Sequence, residues 1–167
     1  MILGFLMFFV GGIFIINALA LMGKVDMKEA GGWNLAIGIL MFIMAIYGIV
    51  TNVMGAITMW WAAQILLFGF TYLMLGVNTF LNRDNRGLGW YCLWVAVVTP
   101  YAAYQTFAAG DYRLGMIWLV WGFAWFLFWL LMGLQKAKVL KLASWVSLFA
   151  GIITAWIPGL LLMNNLW

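Results

Sequence analysis

The sequence predicts an all-α fold: a polytopic integral membrane protein built as a bundle of six transmembrane helices. Three observations carry that reading. Only 7% of the 167 residues are Asp, Glu, Lys or Arg, and His is absent. Hydrophobic residues make up 68% of the chain, far beyond the half-apolar mix of water-soluble domains. The few charges fall in short clusters, and between them lie six apolar stretches of about 20 residues, each long enough to cross a hydrocarbon layer of roughly 30 Å as a helix.

The first stretch, 2–23, lacks a basic leader and is followed by Lys24, so it reads as a span and not as a cleaved signal peptide. The second, 33–52, follows a loop from Lys24 to Gly32. The third, 57–80, is bounded by Asn52–Ala56 and by the charged segment Leu81–Leu88. The fourth, 89–109, stops at Gly110 and Asp111. The fifth and sixth, 113–135 and 142–164, are separated by a lysine-bearing loop from Lys136. Connections this short make neighbouring helices antiparallel. With so little chain left for loops, residues 1–167 are expected to form a single transmembrane domain.

Charge sets the expected orientation. The odd-numbered loops carry Lys24, Lys28, Arg83, Arg86, Lys136, Lys138 and Lys141, whereas the even-numbered loops carry only Arg113. Basic residues concentrate on the cytoplasmic side, so the odd loops are expected there and both termini outside. The same placement accounts for the net charge of +4 without nucleic acid as a partner. Trp33, Trp60, Trp61, Trp90 and Trp167 lie near span ends, where indole rings favour the headgroup zone. Gly11, Gly12, Gly38, Gly48, Gly69, Gly76 and Gly122 are placed to let helices approach closely.

An enzyme is not expected. No His, Cys and carboxylate cluster is available to hold a metal, no His can partner a nucleophile, and no phosphate-binding glycine loop or other cofactor motif occurs. The single cysteine, Cys92, reads as a small apolar helix residue. All four acids (Asp26, Glu29, Asp84 and Asp111) fall in loops. Ion-coupled carriers and proton relays usually place ionisable groups at membrane depth, so the same absence argues against pumping.

The spans do hold neutral polar groups: Asn17, Asn34, Gln64, Thr71, Tyr72, Asn78, Thr99, Tyr104, Ser147 and Thr154. In the fifth span, Trp118, Trp121, Trp125 and Trp129 fall within roughly 80° of one another at about 100° per residue. Such a stripe is commonly packing, yet indole is bulky for mid-membrane helix contacts, where small residues are favoured. Gln64, Phe68, Tyr72 and Leu75 give the third span a complementary face. Two such faces could form a slot whose flat walls contact an amide while Tyr72 and indole N–H groups bond its edges.

At these residues the chain resembles a known family. LLFGFTYL at Leu66–Leu73, IWLVWGFAW at Ile117–Trp125 and ITAWIPGLLL at Ile153–Leu162 are similar to signatures of the AmiS/UreI family of urea channels and amide transporters. Shorter matches at Asn17, Gly23–Asp26, Asn78, Trp90 and Tyr91 keep the same order. The resemblance implies a six-helix protomer with outward termini, in a homohexameric ring around a lipid-filled centre, with one pore per protomer. It also implies that Phe68, Trp118 and Trp121 form an outer constriction and Tyr72 and Trp125 an inner one, with Phe14 and Asn17 nearby. Trp129 lies outside that match.

Two departures stand out. Where the family's acid-gated channel has a glutamate in the sixth helix, this chain has Ala150, with Ser147 and Thr154 on the same face; loss of charge and gain of room there would alter selectivity. The external loops are short and histidine-free, so no side chain has an ordinary pKa suited to a switch between pH 5 and 8. The expected function is passive entry of urea and short-chain aliphatic amides through the bacterial cytoplasmic membrane, towards a urease or amidase. An ion-coupled amide permease and a non-transporting structural membrane protein are the alternatives.

Overall fold

A computed structural model describes residues 2–167, which fold entirely as helices and turns. Six rods follow one another. α1 is Ile2–Leu21 and α2 is Met27–Thr51. A short 3₁₀ turn at Gly55–Ile57 leads into α3, Thr58–Phe80, and α4 is Arg86–Ala108. α5, Tyr112–Phe128, continues into a π-helical turn at Trp129–Gly133. The last rod comprises α6 (Leu140–Phe149), a π-helical segment (Ala150–Trp156) and α7 (Ile157–Met163).

The rods overlap the six apolar stretches read from the sequence, and two of them, α2 and α4, start several residues earlier than expected. α2 begins at Met27 and α4 at Arg86, so Lys28, Glu29 and Arg86 are helical and not loop residues. Glu29 stands in the first turn of α2, where a negative charge complements the helix dipole. Five rods are long and apolar enough to cross a membrane; α4 is the exception. Its 23 residues supply the length, but Trp90, Tyr91, Trp94, Tyr101, Tyr104 and Gln105 lower its apolar character.

Every rod ends in the same way. Gly23, Asn52, Asn82, Gly110, Gln135 and Asn165 all adopt left-handed backbone, with φ between 49° and 87°. The next residue's N–H then reaches back to a carbonyl in the final helical turn: Lys24 to Leu19, Val53 to Gly48, Arg83 to Asn78, Asp111 to Thr106 and Leu166 to Leu161, at 2.8–3.2 Å. These are the closures that satisfy carbonyls left over at a helix end. After α5 the corresponding bond, Lys136 to Leu130 at 2.9 Å, spans one residue more, because the rod finishes in a π turn.

The chain divides into two compact units. In the unit Met27–Arg83, α2 and α3 form a hairpin at near backbone contact. A Cβ on Gly38 would lie 2.8 Å from the Leu73 nitrogen, and one on Gly76 would lie 2.8 Å from the Gly31 carbonyl. Phe42 and Phe70 meet edge to face at 5.0 Å. Trp61 is buried with its ring against Gly48, so it packs inside the hairpin and is not the interfacial anchor its position implied.

The second unit combines the chain up to Asp26 with Asp84–Trp167. α4 and α5 pair through Gly89 against Gly133 and Gly122 against Thr99. Pro100, inside α4, cannot donate to the carbonyl four residues back. The neighbouring hydroxyl of Thr99 donates to that carbonyl, Ala96, at 2.9 Å, which is how membrane helices tolerate proline. α1 lies along the last rod: a Cβ on Gly11 would be 2.5 Å from the Trp156 nitrogen and 2.8 Å from the Gly151 carbonyl. Gly12, expected to serve close approach, has nothing within 4 Å of where its Cβ would stand.

Candidate functional site

The tryptophan stripe of α5 sits within this second unit, and neutral groups on α1 and the last rod hold it. Trp118, Trp121 and Trp125 are all buried, Trp125 at 2% exposure. Trp118 and Trp121 meet edge to face at 5.4 Å. Trp125 meets Phe14 of α1 at 5.3 Å with the rings nearly perpendicular, and Phe128 at 6.3 Å. These are the arrangements that aromatic quadrupoles favour.

Hydrogen bonds tie the cluster together. Trp121 Nε1 donates to Thr154 Oγ1 at 2.9 Å, and Thr154 Oγ1 donates to the Ala150 carbonyl at 2.6 Å. Ser147 Oγ donates to the Phe14 carbonyl at 3.0 Å, joining the last rod to α1. Both Ala150 and Thr154 belong to the π-helical segment. A π turn carries an extra residue per turn and is often found at functional positions. Here it precedes Pro158, whose ring would crowd the Thr154 carbonyl in a regular α-helix.

Phe14, Trp118, Trp121, Trp125, Ser147, Ala150 and Thr154 thus belong to one unit, and contacts link Phe14 to Trp125 and Ser147, and Trp121 to Trp118 and Thr154. Asn17 is half-buried on α1. Phe68 and Tyr72 are buried on α3, in the other unit. The structure differs from the sequence reading in two respects. The N–H of Trp121 is committed to Thr154, and the hydroxyls of Ser147 and Thr154 are committed to backbone carbonyls, so these groups hold the cluster together. Ala150, where loss of the family's glutamate was expected to leave room, is wholly enclosed, as is Ser147, both at 0% exposure. Sequence reasoning also missed the π segment and the Trp121–Thr154 bond. The only signal for either was the run Ile153–Pro158 itself.

The cluster is uncharged and aromatic. None of its side chains is ionisable near neutral pH. Residues 2–166 match the family described as AmiS/UreI family transporter. The chain belongs to the AmiS/UreI family. A Mycolicibacterium smegmatis protein named for the transport of amidate substrates is 33% identical, over 96% of this chain and 76% of that protein. The acid-activated urea channel of Helicobacter pylori is 31% identical, over 99% of both chains. A crystal structure of the urea channel from that organism is similar with a TM-score of 0.89 and 32% identity, covering 99% of each chain. AmiS/UreI proteins are transporters and channels, and the chain is accordingly a multi-pass membrane transport protein and not an enzyme.

Proposed function

We propose that the chain is a channel through which urea and short-chain aliphatic amides cross the bacterial cytoplasmic membrane down their gradients. The observation that carries this reading is the uncharged wall of Trp118, Trp121, Trp125 and Phe14, held rigid by Thr154 and Ser147. A planar, neutral, polar solute can stack on such faces. An ion would have to shed water with no charge to replace it. Weak contacts suit conduction, because a solute held tightly would leave slowly. The names of the amidate transporter and the urea channel support the same solutes. Phe68, Tyr72 and Asn17 are assigned to the filter by family resemblance.

The reading extends to the assembly. All six rods cross the bilayer, α4 included, since no charge interrupts the chain between Arg86 and Asp111. The whole chain acts as one transmembrane domain, with its termini outside. It forms a homohexamer with a pore in each protomer, and delivers its solutes to a cytoplasmic urease or amidase.

The test is solute flux into vesicles carrying the purified protein. Urea and acetamide should equilibrate faster than into protein-free vesicles, and an uncoupler should change nothing. Trp125→Ala and Trp121→Ala should raise the permeability of propionamide relative to urea by about tenfold or more, the scale of one altered apolar contact. Accumulation against a gradient would instead make the chain a coupled permease. Unchanged relative permeabilities in both variants would remove the filter from α5.

A further inference from the structure

Trp129, the one member of the stripe outside the family match, holds a buried indole N–H that has no hydrogen-bond partner. Its ring meets Trp90 of α4 at 5.7 Å and Phe126 at 5.3 Å. Its pyrrole edge lies over Gly133, where a Cβ would stand 2.7 Å from Cδ1 and 3.3 Å from Nε1. The absent side chain at Gly133 is therefore what leaves room for this end of the indole.

Packing alone does not account for the residue. Both ring contacts would be available to phenylalanine, and an unsatisfied buried donor costs stability that phenylalanine would spare. The backbone beneath it is a π-helical turn, Trp129–Gly133, a geometry that is rare and gathers at functional positions. Along α5 the donor's residue stands one turn, about 6 Å, beyond Trp125, at the end of the rod that leads to Lys136. Trp121, by contrast, has its N–H already bonded to Thr154.

We infer that Trp129 Nε1 is a further docking point for the permeating solute, donating to the carbonyl oxygen of urea or a primary amide at the Lys136 end of the stripe. The inference rests on the amide-channel reading above. The solute's carbonyl completes the missing bond transiently, and replaces there one of the water contacts the solute gave up on entering.

The experiment compares urea, acetamide and water permeability of vesicles containing the full chain with Trp129→Phe, which keeps a ring and deletes the donor. Replacement of Trp129 by 3-benzothienylalanine, which exchanges only the N–H for sulfur, guards against loss of packing. In both variants, urea and acetamide permeability should fall about two- to tenfold, the scale of one neutral hydrogen bond, with water permeability unchanged. Wild-type amide permeability in the benzothienyl variant, or an equal fall for water and amides, would overturn the inference and leave the channel reading standing. A wild-type protein with no amide flux above protein-free vesicles would overturn both.

Discussion

The indole N–H of Trp121 donates to the hydroxyl of Thr154 across 2.9 Å, and Thr154 donates onward to the Ala150 carbonyl. The bond ties α5 to the π segment of the last rod and occupies the only polar atom of the Trp121 side chain. Under the proposed channel function, selectivity at this ring is then a matter of shape and stacking.

Replacing Thr154 with Val preserves side-chain shape but strands the Trp121 N–H in a buried site. The expected loss is about 1–3 kcal/mol of stability, visible as a lowered thermal midpoint in detergent. Thr154→Ser should recover most of it, because the hydroxyl is restored. Equal midpoints for the Val and Ser variants would show that the bond contributes nothing.

Adjacent glycines on α1 should respond in opposite ways. Gly11→Ala would drive a methyl group to within 2.5 Å of the Trp156 backbone nitrogen, whereas Gly12→Ala meets nothing within 4 Å. Overpacking against backbone costs about 1–3 kcal/mol, while alanine for glycine on an open helix face gains about 1 kcal/mol. The yield of folded protein and its melting in detergent should separate the two variants clearly.

Asp111 closes the α4–α5 turn with both carboxylate oxygens. Oδ1 accepts the Leu114 N–H at 2.9 Å as the cap of α5, and Oδ2 accepts the Trp167 Nε1 proton at 2.9 Å. Arg113 lies over the Trp167 ring at 5.1 Å. Asp111→Ala should cost about 1–2 kcal/mol through the lost cap. It should also increase hydrogen exchange at both Leu114 and Leu166. Exchange confined to Leu114 would mean that the Trp167 contact does not hold the end of the chain.

Flux should be nearly independent of external pH. The chain has no His, the side chain that ordinarily titrates between about pH 5 and 8, and its four acids lie at or near helix ends. Urea-driven swelling of vesicles measured at about pH 5 and again at about 7.5 should give the same rate. A several-fold increase at the acid end would require a switch built from carboxylates alone.

The six rods were legible because charges mark their ends; the starts of α2 and α4 were not. Lys28, Glu29 and Arg86 read as loop residues, yet a charged side chain at a helix terminus can reach water while its backbone remains helical. The stripe on α5 was equally legible, since its spacing is local. Its partners were not. Ser147 and Phe14 are 133 residues apart in sequence, and no periodicity announces a bond between a hydroxyl and a distant carbonyl. The π segments were hidden for a different reason: residues 129–133 and 150–156 are almost wholly apolar, so one added residue in a turn disrupts no polar pattern. Trp61 misled because an indole near a span end is ordinarily an anchor, and only its contact with Gly48 shows otherwise.

The left-handed closures at Gly23, Asn52, Asn82, Gly110, Gln135 and Asn165 bear on how the protein meets its lipid. A rod that ties off its own last carbonyls needs little from solvent at that edge. Bilayers differ by a few ångströms in thickness, and a mismatched helix ordinarily tilts or deforms the lipid around it. Here the C-terminal ends of the rods are closed by their own backbone, so a change in bilayer thickness meets helix ends that resist fraying at those edges.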